Sequence, residues 1–165
     1  MKFKPLYNPT QLTCQITIGD WPACEGVQKL IGFGRGLGFH KVDYFPYWHI
    51  SNSIVLGYNR SENEDTVRLW AYGYVKGEHF QEKLGNHKIG ENIFTDLRWN
   101  EYLCMAAVYY RTETYRQFKN IGFNTLPIGV LLRPYSEIDG PENKRKAFEV
   151  DIKDLKVNGK MIKIK

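Results

Sequence analysis

The chain has 165 residues, of which 42% are hydrophobic and 15% aromatic, and its net charge is +5. This composition excludes a disordered chain, and the length suits one domain with a sizeable core. Eight Lys or Arg residues and three acidic residues lie between positions 144 and 165, so the excess positive charge falls in the C-terminal segment.

Strand-like runs separated by turn-forming residues recur along the sequence. The 11 Tyr and 15 Gly residues favour strands and tight turns over helices. The predicted strands, in chain order, span residues 12–18, 29–33, 53–58, 67–75, 78–83, 93–99, 102–110, 128–133, 147–152 and 161–165. Hairpin turns are predicted at 76–77 and at Asn158-Gly159. The pattern predicts an all-β sandwich or barrel.

We predict one domain over residues 1–165. Its parts are an N-terminal arm with the first strand (1–27), a core (28–152) and a basic C-terminal strand (153–165). The segment 101–118 also fits a helix, because some of its apolar residues recur at helical spacing. These residues are Tyr102, Met105, Ala106 and Tyr109. The β-rich surroundings favour a strand.

The strand predicted at 67–75 has an unusual second face. Its first face is apolar and is carried by Val67, Leu69, Ala71, Gly73 and Val75. Its second face holds two Tyr, one Trp and one Arg, whose flat rings and polar tips suit sugars and protein interfaces alike. A second core layer is the alternative. With the nearby segment DYFPYWHI, the candidate contact residues are Trp48, His49, Asn52, Arg68, Trp70, Tyr72 and Tyr74.

The glycine-rich segment GFGRGLGFHK (32–41) matches neither G-x-G-x-x-G nor a Walker loop. We predict a turn or a close backbone approach there. The four His residues lack metal-ligand spacing, and His79 and His87 are the two that could meet across a hairpin. No nucleophile motif is present. The sequence therefore predicts no metal site and no cofactor.

Two acidic segments have the spacing of a catalytic carboxylate pair, which retaining glycoside hydrolysis requires. The first holds Glu137, Asp139 and Glu142, and the second holds Glu149, Asp151 and Asp154. Gly140-Pro141 makes the first segment a turn, and strand alternation explains the second. We therefore expect no enzyme.

The cysteine spacing and the polarity of the N-terminal segment predict the cellular location. The three Cys residues (14, 24 and 104) form no C-x-x-C pair, which favours reduced thiols. No apolar signal-peptide region or membrane span is evident. We expect a cytoplasmic protein without a membrane partner.

The basic C-terminal residues could meet an acidic surface. They are Lys144, Arg145, Lys146, Lys160, Lys163 and Lys165. Lys residues on a terminal strand also prevent edge-to-edge pairing, and this interpretation is favoured. Nucleic acid is not an expected partner.

Three strand motifs and a final FEVDI strand carry a family resemblance. The motifs are YWHISNSIVLGYN, VRLWAYGYVKGE and LPIGVLLRPY. Over about residues 28–152 the chain resembles the concanavalin A-like lectin and glucanase superfamily, and more narrowly a small set from Bacteroidetes bacteria and their phages. The matching positions are Asn52, Ser53, Gly57, Ala71, Tyr72, Tyr74, Val75, Gly77, Glu78, Pro134 and Tyr135. After Pro134-Tyr135 this chain has SEIDGPEN where the set tends toward glycine.

The resemblance implies a jelly-roll sandwich of two antiparallel sheets. It favours a non-catalytic binding or assembly module, most of all a phage structural protein of the capsid-auxiliary or decoration type. Such a protein would assemble with capsid or other virion proteins in the host cytoplasm. A glycan-binding, lectin-like module is the alternative, and a glycoside hydrolase or lyase is third.

Overall fold

The computed structural model describes residues 4–35, 52–62, 64–75, 78–100, 103–119, 128–132 and 149–163. Their strands are β1 (Lys4–Tyr7), β2 (Gln11–Thr17), β3 (Cys24–Arg35), β4 (Asn52–Arg60), β5 (Thr66–Val75), β6 (Glu78–Lys88), β7 (Asn92–Trp99), β8 (Cys104–Tyr110), β9 (Glu113–Lys119), β10 (Ile128–Leu132), β11 (Asp151–Val157) and β12 (Lys160–Met161). These ranges contain no helix, and hence none that is long and apolar enough to span a membrane. The all-β prediction is confirmed.

The strands form two antiparallel sheets of six strands each. Sheet A has the order β1-β10-β3-β4-β5-β6, and sheet B has the order β12-β11-β2-β7-β8-β9. Several neighbours in a sheet are distant in sequence, such as β11 beside β2 and β10 beside β1. One buried cluster draws side chains from both sheets, so the described residues form a β-sandwich.

The core lies between the sheets because the strands alternate. β2 and β5 place every second side chain inward with little exposure. The bulkiest fully buried side chains include Trp99, Tyr58 and Phe33. The rings of Trp21 and Tyr58 pack 5.0 Å apart, and the Tyr58 hydroxyl donates to the Pro22 carbonyl at 3.3 Å. Each fully buried Leu or Ile stabilises this core by roughly 1.5–3 kcal/mol.

The segment predicted as helix or strand is β-structure: β8 and β9 form a hairpin within it. The short strand β1 was not predicted, and the segment predicted as one strand contains two, β8 and the polar β9. β6 continues to Lys88, beyond its predicted end at residue 83, and the last strand ends at Met161. The turn predicted at 76–77 lies outside the described residues, although β5 and β6 do pair as predicted.

The C-terminal strand lies further along the chain than predicted. A strand was expected over residues 147–152, of which 147 and 148 lie outside the described residues; β11 begins at Asp151 and ends at Val157. Asp154 has a positive φ of 51°, and the pairing with β2 shifts there, which marks a β-bulge. The extra residue resets the alternation and turns Leu155 and Val157 into the core.

A two-residue turn between β11 and β12 holds the N-terminal segment. Asn158 and Gly159 both have positive φ, 49° and 75°, as a type I′ hairpin turn requires. The Asn158 Oδ1 accepts from the backbone N–H groups of Thr10 at 2.9 Å and Gln11 at 3.1 Å. Its Nδ2 donates to the Asn8 carbonyl at 2.8 Å. The turn thereby fastens the chain where it crosses from sheet A to sheet B.

Candidate binding surface

The unusual face of β5 points away from the sandwich interior. Trp70, Tyr72 and Tyr74 are each partly buried, whereas the alternate positions of β5 lie in the core. Their rings therefore do not form a second core layer between the sheets. With His79 of the neighbouring strand β6, they form a continuous group of rings, which we call the aromatic patch.

Strand pairing fixes which side chains flank the patch. The outward positions paired with β5 are Ser53, Val55 and Gly57 on β4, and His79, Gln81 and Lys83 on β6. Gly57 lies opposite Trp70, and the Val27 side chain occupies the space above Gly57. Ser53 and Val55 face outward yet are only 4% and 1% exposed. Among the described residues, the accessible surface here is thus formed mainly by rings and polar side chains, with Val27 as a partly buried aliphatic neighbour.

The glycine-rich segment begins inside this face. Gly32 and Gly34 belong to β3 and pair with Val55 and Ser53. A Cβ on Gly32 would lie 2.2 Å from the Ile54 carbonyl oxygen, so glycine permits a close backbone approach there, as predicted. The remainder of that segment, 36–41, lies outside the described residues.

Trp70 is held in one orientation. Its indole N–H donates to Asn59 Oδ1 at 2.8 Å, and Asn59 Nδ2 donates in turn to the Glu25 carbonyl at 3.1 Å. The second bond fixes which end of the Asn59 amide faces the indole. The chain therefore presents a pre-oriented ring, which lowers the entropy lost on binding.

Tyr72 is the centre of the patch. Its ring contacts Tyr74 edge-on at a centroid distance of 6.1 Å and His79 at 4.6 Å, and His79 lies 5.4 Å from Tyr74. The Lys29 Nζ of β3 lies 5.2 Å from the centroid of the Tyr72 ring. Such cation–π contacts contribute about 0.5–1 kcal/mol at exposed sites.

The patch has a positive electrostatic character. Partial burial, and then the charge of Lys29, lowers the pKa of His79 below its usual value. Lys83 lies opposite Trp70. The described positions that pair beside the rings in β3, β4 and β6 contain no carboxylate. Arg68, at the end of the same face, is engaged by a salt bridge to Glu64.

The structure brings together only part of the predicted set. Trp70, Tyr72 and Tyr74 are neighbours, and Arg68 continues their row. Asn52 does not join them: it lies at a core-facing position of β4 and is 4% exposed, because it alternates in phase with the buried Ile54. Trp48 and His49 lie outside the described residues.

Sequence reasoning missed the contributions of Lys29, His79 and Lys83. The predicted β5–β6 hairpin could have placed His79, since its partner across the pair is Tyr74. It could not have separated His79 from His87. These residues share one strand, but a bulge near Gly85 turns His87 inward, where it is 2% exposed beside Glu91.

The acidic residues of the second segment lie elsewhere. Glu149 and Asp151 are exposed, and Asp151 accepts from Thr17 and lies 3.5 Å from the Lys153 ammonium. β11 belongs to sheet B, whereas the patch belongs to sheet A. The first segment, with Glu137, Asp139 and Glu142, lies outside the described residues. In the described part of the chain, no three His, Cys, Asp or Glu side chains converge as a metal site would require.

The basic residues are partly described. Lys160 is exposed on β12, which is the edge strand of sheet B, and Lys163 is exposed just after it. Charged side chains on an edge strand oppose pairing with another sheet. The other four, Lys144, Arg145, Lys146 and Lys165, lie outside the described residues.

The fold is similar to that of a solved pentraxin chain. The native heptameric SAP-like pentraxin from Limulus polyphemus matches with a TM-score of 0.50 and 12% sequence identity. The match covers 95% of this chain and 66% of the pentraxin chain, so this chain is shorter than that neighbour. No family model and no curated protein matches the sequence. The predicted fold, a jelly-roll sandwich of two antiparallel sheets, is confirmed.

Proposed function

We propose that the chain is a non-catalytic binding module and that the aromatic patch is its contact surface. The observation that carries this proposal is the position of three large rings on the outer face of sheet A. Tyr and Trp dominate the energetics of recognition surfaces. We assign no catalytic role, since the described carboxylates Glu149 and Asp151 are exposed on the other side of the sandwich.

We further propose that this module works within a phage virion, as a capsid-auxiliary or decoration protein assembled in the host cytoplasm. The motif resemblance over residues 28–152 supports this setting. Cys14 and Cys104 are buried and form no disulfide bond, which suits a reducing compartment. The pentraxin neighbour is heptameric, so its fold is compatible with assembly into larger particles.

Mass spectrometry of phage particles tests the virion setting. The particles are purified from the lysate of infected host cells that express the gene. We expect peptides of this chain at a fixed ratio to the major capsid protein after repeated density-gradient purification. Its recovery only from the unassembled soluble fraction would contradict the virion role. The binding role of the patch would then still be open to test.

The patch has two possible occupants, a neighbouring protein or a glycan. A specific observation favours a glycan: the tyrosine hydroxyls, the Gln81 amide and the Lys83 amine border the rings. The outward-facing Val55 is only 1% exposed. A sugar ring can stack on an aromatic face while its hydroxyls bond the polar tips. A protein interface usually adds apolar anchors at its centre.

A glycan array with the purified chain tests this occupant. We expect binding that Trp70→Ala reduces at least tenfold. The matched control is Phe94→Ala, which removes a ring that is 41% exposed on the opposite sheet. Equal effects of the two substitutions, or an array without any bound glycan, would rule out a glycan at the patch.

A further inference from the structure

We propose that the ligand of the aromatic patch is an acidic glycan, whose carboxylate or sulfate is held by Lys29 and His79 at the border of Tyr72. This inference rests on the proposed binding function of the patch. It adds the charge of the ligand and the residues that recognise that charge.

The first argument is the sign of the surface. Lys29 and Lys83 flank the rings, and the described positions paired beside the rings supply no carboxylate to neutralise them. Among the described residues, an anion that binds Lys29 or Lys83 therefore displaces no salt bridge. By contrast, Arg68 already has its counter-ion in Glu64.

The second argument is geometric. Lys29 Nζ lies 5.2 Å from the centroid of the Tyr72 ring, and the His79 ring lies 4.6 Å from the same centroid. The two groups come from β3 and β6, with β4 and β5 between them. We place the anionic group at the border of Tyr72, because the charge of Lys29 already acts on His79 there.

The third argument is electrostatic coupling. The charge of Lys29 helps lower the pKa of His79, so these two groups repel each other when His79 is protonated. The titratable groups that contact His79 from β5 are Tyr72 and Tyr74. On its own strand, Glu78 pairs with Val75 and so lies on the opposite face. A bound anion would relieve the repulsion and favour protonated His79.

This coupling fixes the sign of a pH effect. In the free protein the pKa of His79 lies below its usual value, and a bound anion raises it. Binding therefore takes up a proton, and affinity rises as the pH falls through the interval between the bound and free values. Each unit of difference between those values strengthens binding about tenfold at low pH.

The experiment uses the full chain and an array with paired acidic and neutral glycans: uronic-acid, sialylated and sulfated oligosaccharides beside their uncharged counterparts. The strongest acidic ligand is then measured by calorimetry at pH 5, 6 and 8. We expect at least tenfold preference for the acidic member, and a tenfold loss with Lys29→Ala that Lys29→Arg largely restores. Lys160→Ala, an exposed Lys on sheet B, is the control and should change nothing.

His79→Gln should retain binding at pH 8 and lose the increase at pH 5. Equal affinity for acidic and neutral members would overturn this inference while leaving a glycan-binding patch intact. An increase at low pH that persists in His79→Gln would overturn the role of His79. Binding to polyglutamate but to no glycan would assign the patch to an acidic protein, and would also overturn the inference.

Discussion

Replacing Asn158 with glycine isolates the hydrogen bonds of its side chain. Glycine keeps the positive φ of 49°, but three backbone groups, of Asn8, Thr10 and Gln11, lose their amide partner. Each such bond contributes roughly 0.5–1.5 kcal/mol, and the site is exposed, so water replaces part of the loss. We expect a destabilisation of about 2 kcal/mol. For a chain of this length that lowers the melting temperature by about 4–8 °C.

Asn158→Ala provides the matched comparison. Alanine loses the same bonds and also pays roughly 1–2 kcal/mol for left-handed backbone. Glycine has its own entropic cost of roughly 0.5–1 kcal/mol, so the alanine variant should be less stable than the glycine variant by about 0.5–1 kcal/mol. Urea unfolding followed by circular dichroism measures both. A glycine variant with the wild-type midpoint would refute the stabilising role of the Asn158 side-chain hydrogen bonds. An alanine variant as stable as the glycine variant would refute the left-handed backbone at position 158.

Three further outcomes are expected. Arg98→Met should lower the free energy of unfolding by about 2–3 kcal/mol, and Asp96→Ala by only about 1 kcal/mol. The Asp96 side chain is 5% exposed and the Arg98 side chain 48%, so a guanidinium that loses its partner can turn to water, whereas the carboxylate cannot. Equal urea midpoints of the two variants would contradict this. Gly73→Ala should destabilise by about 3 kcal/mol or more, since its Cβ would lie 1.9 Å from the Ser53 carbonyl oxygen, and an unchanged melting temperature would disprove the close approach. Burial raises the pKa of Cys14 to about 12, so iodoacetamide at pH 8 should label it only in urea; labelling of the native protein, detected by mass spectrometry, would show that the thiol is accessible.

The aromatic patch was partly predictable because its rings follow a simple rule. In β5 the alternation is uninterrupted from Thr66 to Val75, so every second residue must share a face. The fold class was predictable for the same reason, since alternation and turn residues recur over most strands. The sequence of β5 therefore identified the rings of the aromatic patch, but not the residues of β3 and β6 that surround them.

The rest of the patch depends on irregularities that a sequence does not display. Lys29 reaches Tyr72 only through the pairing of β3 with β4, where the register shifts between residues 29 and 31. A bulge separates the faces of His79 and His87, and another at Asp154 changes which residues of β11 face the core. Each bulge adds one residue and inverts the alternation beyond it. The prediction of Asn52 as a contact residue was wrong for a different reason. Its side chain is polar but occupies a core-facing position.

The strand order has a consequence for synthesis on the ribosome. β1 pairs only with β10 in sheet A, and β2 has β11 as one of its two neighbours in sheet B. β1 and β2 therefore wait, with open edges, for partners that begin only at Ile128 and Asp151. Open edges on nascent chains invite pairing between neighbouring polypeptides. Slower expression or added chaperone should accordingly raise the soluble yield more than any stabilising ligand added after translation.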